Sequence, residues 1–258
     1  KIEHFKLKIM KISLIIPCYN EEANIQKGVL DRIANFAKAH PVFTEVLIVD
    51  DGSTDSSKTF IKRDYLPRFK QLKLIENNHR GKAYAVIAGI NNAKEEYVIF
   101  SDIDLATPLE ESSKLVDEIK NGFDIVIGSR SSTRKGAPIL RKVMAVGFIV
   151  VRNMVLGLKN IRDTQCGFKL FKTDVALEVI QRMKLFDRKL EVKGSSVSAA
   201  FDLEFLFLAN KMGNTIKEVP VTWRHVETKN VTFIHDVIET LRDIAKIKWN
   251  DLAGKYNR

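Results

Sequence analysis

At 258 residues the chain is long enough for one large α/β domain with a full core, and its 45% hydrophobic and 29% charged residues exclude wholesale disorder. Its formal charge of +10 is unusual and calls for a polyanionic partner: nucleic acid, an anionic membrane surface or a phosphorylated substrate. The two cysteines, Cys18 and Cys166, lie far apart and make no metal-type pair, so free thiols of a reducing compartment are the default.

The N-terminus, Lys1 to Lys11, is basic and broken by charge, unlike a signal peptide. Met10 precedes a strand pattern and reads as a native start. Residues 1–9 are then an extension, 10–230 the main domain and 231–258 a C-terminal amphipathic helix. Ile12 to Ile16 is a short apolar run closed by Pro17, and Glu21 to Ala39 has helical composition. Val46 to Val49 is a second buried strand, ending at Asp50-Asp51-Gly52-Ser53; Ser53 or Thr54 would cap a helix reaching about Tyr65. Leu72 to Ile75 is a third strand, Lys82 to Ala93 a third helix and Tyr97 to Phe100 a fourth strand. Pro108 suits the first turn of a helix to about Lys120, and Ile125 to Ile127 is a fifth strand ending at Gly128-Ser129-Arg130. This alternation means a mostly parallel sheet with right-handed crossovers.

The strand ends carry the chemistry. In Phe100-Ser101-Asp102-Ile103-Asp104 two carboxylates sit one residue apart after a buried strand, at the sheet edge where open α/β folds bind ligands. Mg²⁺ and Mn²⁺ want oxygen ligands and are often held by one or two carboxylates together with substrate phosphates. Asp-x-Asp is also common on solvated loops, so its weight comes from company. Pro17-Cys18-Tyr19-Asn20-Glu21, Asp50 to Asp55 and His79-Arg80-Gly81-Lys82 should face the same edge. A P-loop and the Gly-x-Gly-x-x-Gly dinucleotide fingerprint are both missing from the sequence.

Several segments resemble, in order, the inverting family 2 glycosyltransferases of GT-A fold. They are Ile15 to Glu22, Val49 to Asp55, Asp102-Ile103-Asp104, Gly128-Ser129-Arg130, Asp163 to Lys169, Phe201 to Glu204 and Glu218 to Trp223. Within that family the polyprenyl-phosphate branch, and there the dolichyl-phosphate β-glucosyltransferases, is most similar, through Asp163-Thr164-Gln165-Cys166-Gly167-Phe168-Lys169 and Asp104-Leu105-Ala106-Thr107-Pro108. The resemblance implies transfer of glucose from UDP-glucose to a polyprenyl phosphate. It puts Pro17, Tyr19, Glu21 and Asp51 against the base and ribose, with Asp50 supporting and Lys82 among the nucleotide-sugar residues. Asp102 would touch the nucleoside and sugar, and Asp104, with Asp102, would hold Mg²⁺ or Mn²⁺ on the diphosphate. Two departures stand out. Mannose-transferring relatives commonly carry Gln where this chain has Ala106, and relatives often carry Arg where it has Ser198.

A sugar hydroxyl needs a general base, which Asp202 would supply; a phosphate monoester, with a second pKa of about 6, is already a dianion near neutrality and needs cations instead. Arg130, Arg134, Lys135, Arg141 and Lys142 follow the fifth strand, and relatives associate the positions of Arg130 and Arg141 with the lipid phosphate. The apolar run Val143 to Val151 is too short to span a bilayer and reads as a core helix or an interfacial one. Ile234, Val237, Ile238, Leu241, Ile244 and Ala245 fall at helical spacing; packing onto the domain or a membrane surface, with Trp249 among lysines, would account for them. The expected setting is peripheral, on the cytoplasmic face of a membrane. A basic nucleic-acid-binding module would explain the charge but not the acidic strand ends, which repel phosphate backbones. His79, His225 and His235 have no metal-ligand spacing and read as structural or surface residues, and Cys166 reads as a small packed one.

Overall fold

In the computed structural model, residues 10–130, 139–185, 199–224 and 233–257 are described, with side chains from 147, 200 and 238 onward in the last three segments. The strands found there are β1 (Ile12–Cys18), β2 (Phe43–Asp50), β3 (Leu72–Glu76), β4 (Tyr97–Ser101), β5 (Ile125–Arg130), β6 (Phe168–Lys172) and β7 (Ile216–Val221). They form one sheet in the order β3-β2-β1-β4-β6-β5-β7. Only β6 runs against its neighbours, antiparallel to both β4 and β5. The mostly parallel α/β architecture expected from the alternating pattern is therefore observed.

Helices cover both faces, which is why the central strands are apolar in runs, as at Leu14-Ile15-Ile16 and Val46-Leu47-Ile48-Val49, rather than alternately. The helices are α1 (Glu22–Gln26), α2 (Val29–Ala39), α3 (Ser57–Phe60), α4 (Lys82–Asn92), α5 (Ser112–Lys120), α6 (Ile139–Leu156), α7 (Thr173–Arg182), α8 (Ala199–Lys211) and α9 (Phe233–Leu252). Leu14, Ile16, Val46 and Ile48 point into one core with Leu30, Ile33, Leu115 and Ile119 of α2 and α5. Their neighbours Ile15, Leu47 and Val49 point into a second with α4, α7, α8 and Ile244 and Ile247 of α9. The two-residue period of the strands sorts these side chains between the layers.

Three local expectations change. The helix expected over Glu21 to Ala39 is two helices, because Gly28 turns left-handed at φ 78° and its N–H closes on Ile25. Ser53 and Thr54 do not cap the following helix; they bond Asn20, the helix starts at Ser57, and Ile61–Tyr65 widens into a π turn. Pro108 precedes a 3₁₀ turn, Leu109–Glu111, before α5 begins. Strands β6 and β7 add to the five strands expected from the sequence, and the 1–9 extension lies outside the described residues.

Candidate active site

The carboxyl ends of β1 and β2 are laced together by side chains just beyond them. Asn20, left-handed at φ 53°, donates its N–H to Ser53 Oγ at 3.0 Å and accepts from Thr54 N at 2.8 Å through Oδ1. Glu21 N donates to Ser57 Oγ at 2.8 Å, Glu22 N to Asp55 Oδ2 at 3.1 Å, and Glu22 Oε2 accepts from Ser56 N at 3.1 Å. Pro17 does not close β1 as expected: it lies within the strand opposite Val49, the strand runs on to Cys18 opposite Asp50, and fully buried Asp50 accepts from Ser53 N at 3.2 Å.

Asp51 draws in the third strand end. Its Oδ1 accepts from Arg80 N at 3.0 Å, and its Oδ2 from Gly81 N at 2.7 Å and from His79 Nδ1 at 2.8 Å. The His79 ring in turn stacks on Tyr19, with centroids 4.0 Å apart and planes 13° from parallel. His79 is thus tied into this cluster by Asp51 and Tyr19, contacts that fit the structural reading of its spacing. Its adjacency to Arg80-Gly81-Lys82 is the sequence signal that points to it.

Beyond β4, Asp102 is ion-paired with Lys82, the first residue of α4. A side chain at Gly167 would overlap the Asp102 carboxylate, so that glycine is what lets the 163–169 segment close on it. Asp104 accepts from Ala106 N at 2.9 Å; burial pushes its carboxyl above the ordinary range, and the charge of Asp102 adds to this. Burial also raises Glu21, a hydrogen bond of 2.6 Å from Asn24 partly offsets this, and Asp104 and Asp102 push it further up. Glu21 therefore lies within electrostatic reach of the Asp-x-Asp pair. For Lys82, burial pulls the ammonium down, but Asp102, Asp202 and Asp104 together hold it above its usual value.

Asp202, in the first turn of α8, is 2.7 Å from the ammonium of Lys169, whose side chain is only 2% exposed. Lys169 also donates to the Cys166 carbonyl and lies 5.1 Å from the Phe100 ring centroid, so its ammonium sits among a carboxylate, a carbonyl and a ring. Burial raises the Asp202 carboxyl against the pull of Lys169 and Lys82. Motif spacing does not single out Lys169, although a lysine inside Phe168-Lys169-Leu170-Phe171, an apolar strand, demands a buried counter-charge. Cys166 is packed as expected, its thiol pushed up to about 11 by burial.

Of the expected phosphate cations, Arg130 is the one whose side chain is described. Arg130 is not a solvated loop residue: its Nε and Nη2 grip Asp163 at 2.7 and 2.9 Å, its backbone N–H adds a bond of 3.0 Å, and Trp223 lies 5.9 Å from the guanidinium. Glu218 holds the same loop through Asp163 N at 2.6 Å. That fork leaves Nη1 as the edge of Arg130 not spent on Asp163. Arg141 is in the first turn of α6, and its side chain, with Lys142, lies outside the described residues, as do Arg134, Lys135, Ser198, His225 and the side chain of His235.

Asp102 and Asp104 carry the oxygen donors that a hard divalent ion would take. No group of three or more His, Cys, Asp or Glu side chains forms a metal cage among the described residues. Two carboxylates fit an ion that takes its remaining oxygens from phosphates and water, as Mg²⁺ and Mn²⁺ commonly do. Farther off, the α9 stripe divides: Ile244 and Ile247 are buried, whereas Ile238, Leu241, Trp249 and Leu252 are exposed, as are Val150, Val151 and Met154 of α6. No described helix is long and apolar enough to cross a membrane.

A family model described as Glycosyl transferase family 2 matches residues 13–180. The chain is 28% identical to the dolichyl-phosphate beta-glucosyltransferase of Saccharomyces cerevisiae, over 98% of this chain and 79% of that one. To the Dictyostelium discoideum protein of the same name it is 31% identical, over 94% and 75%, and to the Homo sapiens one 29%, over 95% and 77%. Among solved structures it is similar to glucosyl-3-phosphoglycerate synthase from Mycobacterium tuberculosis in complex with UDP, with TM-score 0.62, 16% identity, and 93% and 80% of the two chains covered. It is also similar to mannosyl-3-phosphoglycerate synthase from Rubrobacter xylanophilus, with TM-score 0.63, 12% identity and 95% and 75% coverage. The Mycobacterium enzyme has also been crystallised with Mn²⁺, UDP and phosphoglyceric acid. At these identities the structural likeness speaks to the fold, which is GT-A.

Proposed function

The chain belongs to glycosyl transferase family 2, and we propose that within it the protein moves glucose from UDP-glucose to a dolichyl-type polyprenyl phosphate, with inversion, at the cytoplasmic face of a membrane. The observation that carries the acceptor class is the pairing of Asp202 with Lys169 at 2.7 Å. A hydroxyl acceptor needs a base to take its proton, and the carboxylate in that position is committed to a buried ammonium. A phosphate monoester brings its own nucleophilic oxygen as a dianion and needs no base. The identities of 28–31% to dolichyl-phosphate beta-glucosyltransferases along nearly the whole chain support the lipid and the sugar.

In this proposal the Tyr19–His79 stack and Asp51 form the base and ribose wall, with Pro17, Glu21 and Asp50 around it. Lys82 faces the diphosphate. Asp102 and Asp104 would hold a Mg²⁺ or Mn²⁺ ion, which would stabilise charge on the departing nucleoside diphosphate. Arg130, aimed by Asp163, and Arg141 would receive the lipid phosphate. The exposed apolar residues of α6 and α9, together with the net charge of +10, supply a surface for an anionic bilayer.

Two measurements test this. Purified protein with Mn²⁺ and dolichyl phosphate is offered labelled UDP-glucose, GDP-mannose or other sugar nucleotides, and label in the lipid phase is counted. UDP-glucose should be the efficient donor; transfer only from GDP-mannose, or only to a sugar hydroxyl, would overturn the assignment. Sedimentation with phosphatidylserine vesicles should be strong at low salt and weaker at high salt, because attraction is screened within about 8 Å at 0.15 M. Absence of vesicle binding at every salt concentration would remove the membrane surface from the proposal.

A further inference from the structure

Lys82 occupies a position where two different ligands would want a charge. Its root is fixed: Arg80 and Gly81, immediately before it, give their backbone N–H groups to Asp51. Its side chain spans from there to Asp102, one of the two carboxylates suited to a divalent ion. Lys169 cannot stand in for it, because that ammonium is already shared between Asp202 and the Cys166 carbonyl. The electrostatic neighbourhood of Lys82 is Asp102, Asp202 and Asp104.

The formal charges favour joint over separate binding of metal and diphosphate. Asp102, Asp104 and Asp202 surround Lys82, and Glu21 lies within reach of the first two, so carboxylates outnumber the ammoniums of Lys82 and Lys169 and the cluster is net negative. A divalent cation arriving alone meets Lys82 as a like charge on the carboxylate it needs. A diphosphate arriving alone adds its negative charge to an already negative site. Arriving together, a divalent ion and the doubly charged diphosphate of a sugar nucleotide leave the net charge as it was, and the phosphate oxygens offer Lys82 a new partner. Opposite charges in a partly buried site interact several-fold more strongly than in water, so this exchange is not a small effect.

We propose that Lys82 is the stand-in cation of the Asp102–Asp104 pair, holding Asp102 until a nucleoside diphosphate draws the ammonium away. Divalent ion and nucleoside diphosphate are then coupled through one side chain: each binds weakly alone and tightly with the other. The inference rests on the donor and metal assignment proposed above and adds to it a residue that sets the order of assembly.

The test reads metal binding and not turnover. Free Mn²⁺ is followed by electron paramagnetic resonance while it is titrated into wild type, Lys82→Met and Lys82→Arg, each with and without saturating UDP, after circular dichroism has shown the variants folded. Wild type should bind Mn²⁺ about tenfold or more tightly with UDP than without it. Lys82→Met should bind Mn²⁺ alone about tenfold more tightly than wild type does, and should lose most of the UDP-dependent gain; Lys82→Arg, which keeps the charge, should resemble wild type. If Lys82→Met does not fold, Lys82→Gln replaces it as the neutral variant and is read in the same way. Unchanged or weaker Mn²⁺ binding by the folded neutral variant, while UDP and Mn²⁺ bind wild type together, overturns the stand-in role and leaves the donor assignment intact. Failure of wild type to bind UDP with Mn²⁺ at all overturns both.

Discussion

Replacing Lys169 with Met nearly preserves the volume of the side chain and removes its charge. The ammonium is 2% exposed and sits 2.7 Å from Asp202, which is itself 16% exposed. The substitution strands a carboxylate and the Cys166 carbonyl without their donor. Breaking one side of a buried ion pair costs about 3–5 kcal/mol, because the surviving charge stays desolvated. The residual exposure of Asp202 and the nearby charge of Lys82 place this case near the lower end, at about 3 kcal/mol. For a domain of this size 1 kcal/mol moves Tm by about 2–4 °C, so the variant should melt about 6–12 °C below wild type. The double variant Lys169→Met/Asp202→Leu removes both charges and should regain most of that loss, since an apolar pair often replaces a buried ionic one at little cost. Calorimetry at neutral pH in low salt measures all three proteins. A single variant melting within about 2 °C of wild type, or a double variant no more stable than the single, would show that Asp202 is not held by Lys169.

Asp104→Asn should be more stable than wild type at neutral pH without metal. Burial and Asp102 raise the Asp104 carboxyl above its ordinary 3.8, so its ionisation opposes folding; the advantage should shrink as pH falls through that raised value and vanish below 3.8. Melting curves across pH check this, and a gap that widens on acidification would contradict it. The same variant should lose divalent-dependent turnover by orders of magnitude. For the acceptor, Arg130→Ala and Arg141→Ala should each raise the KM for lipid phosphate about 10- to 100-fold while UDP affinity barely moves, each lost charge-assisted bond being worth about 1.5–3 kcal/mol. Arg130→Ala should also lower Tm, because Asp163 loses its fork. Unchanged acceptor kinetics in both would remove the arginines from the acceptor site, and collapsed UDP affinity would reassign them to the donor.

The parallel half of the sheet and the identity of its loaded edge are legible in the order of the residues alone. Short apolar runs ending in Pro17, Asp50, Asp102 and Arg130 have one stable arrangement once helices alternate with them, and parallel strands deliver their carboxyl ends to one edge. That local logic reaches Asp51, Asp102, Asp104 and Lys82, which the structure gathers as neighbours. It does not reach β6, whose antiparallel insertion between β4 and β5 is decided by packing across the whole sheet. Through β6 the fold brings Lys169 to Asp202, 33 residues away, and the segment before it brings Asp163 to Arg130 over the same separation. Sequence spacing carries no information about such partners. The same arginine or aspartate is a free cation or a base when its neighbours are solvent, and a fixed member of an ion pair when tertiary packing excludes water and supplies the opposite charge.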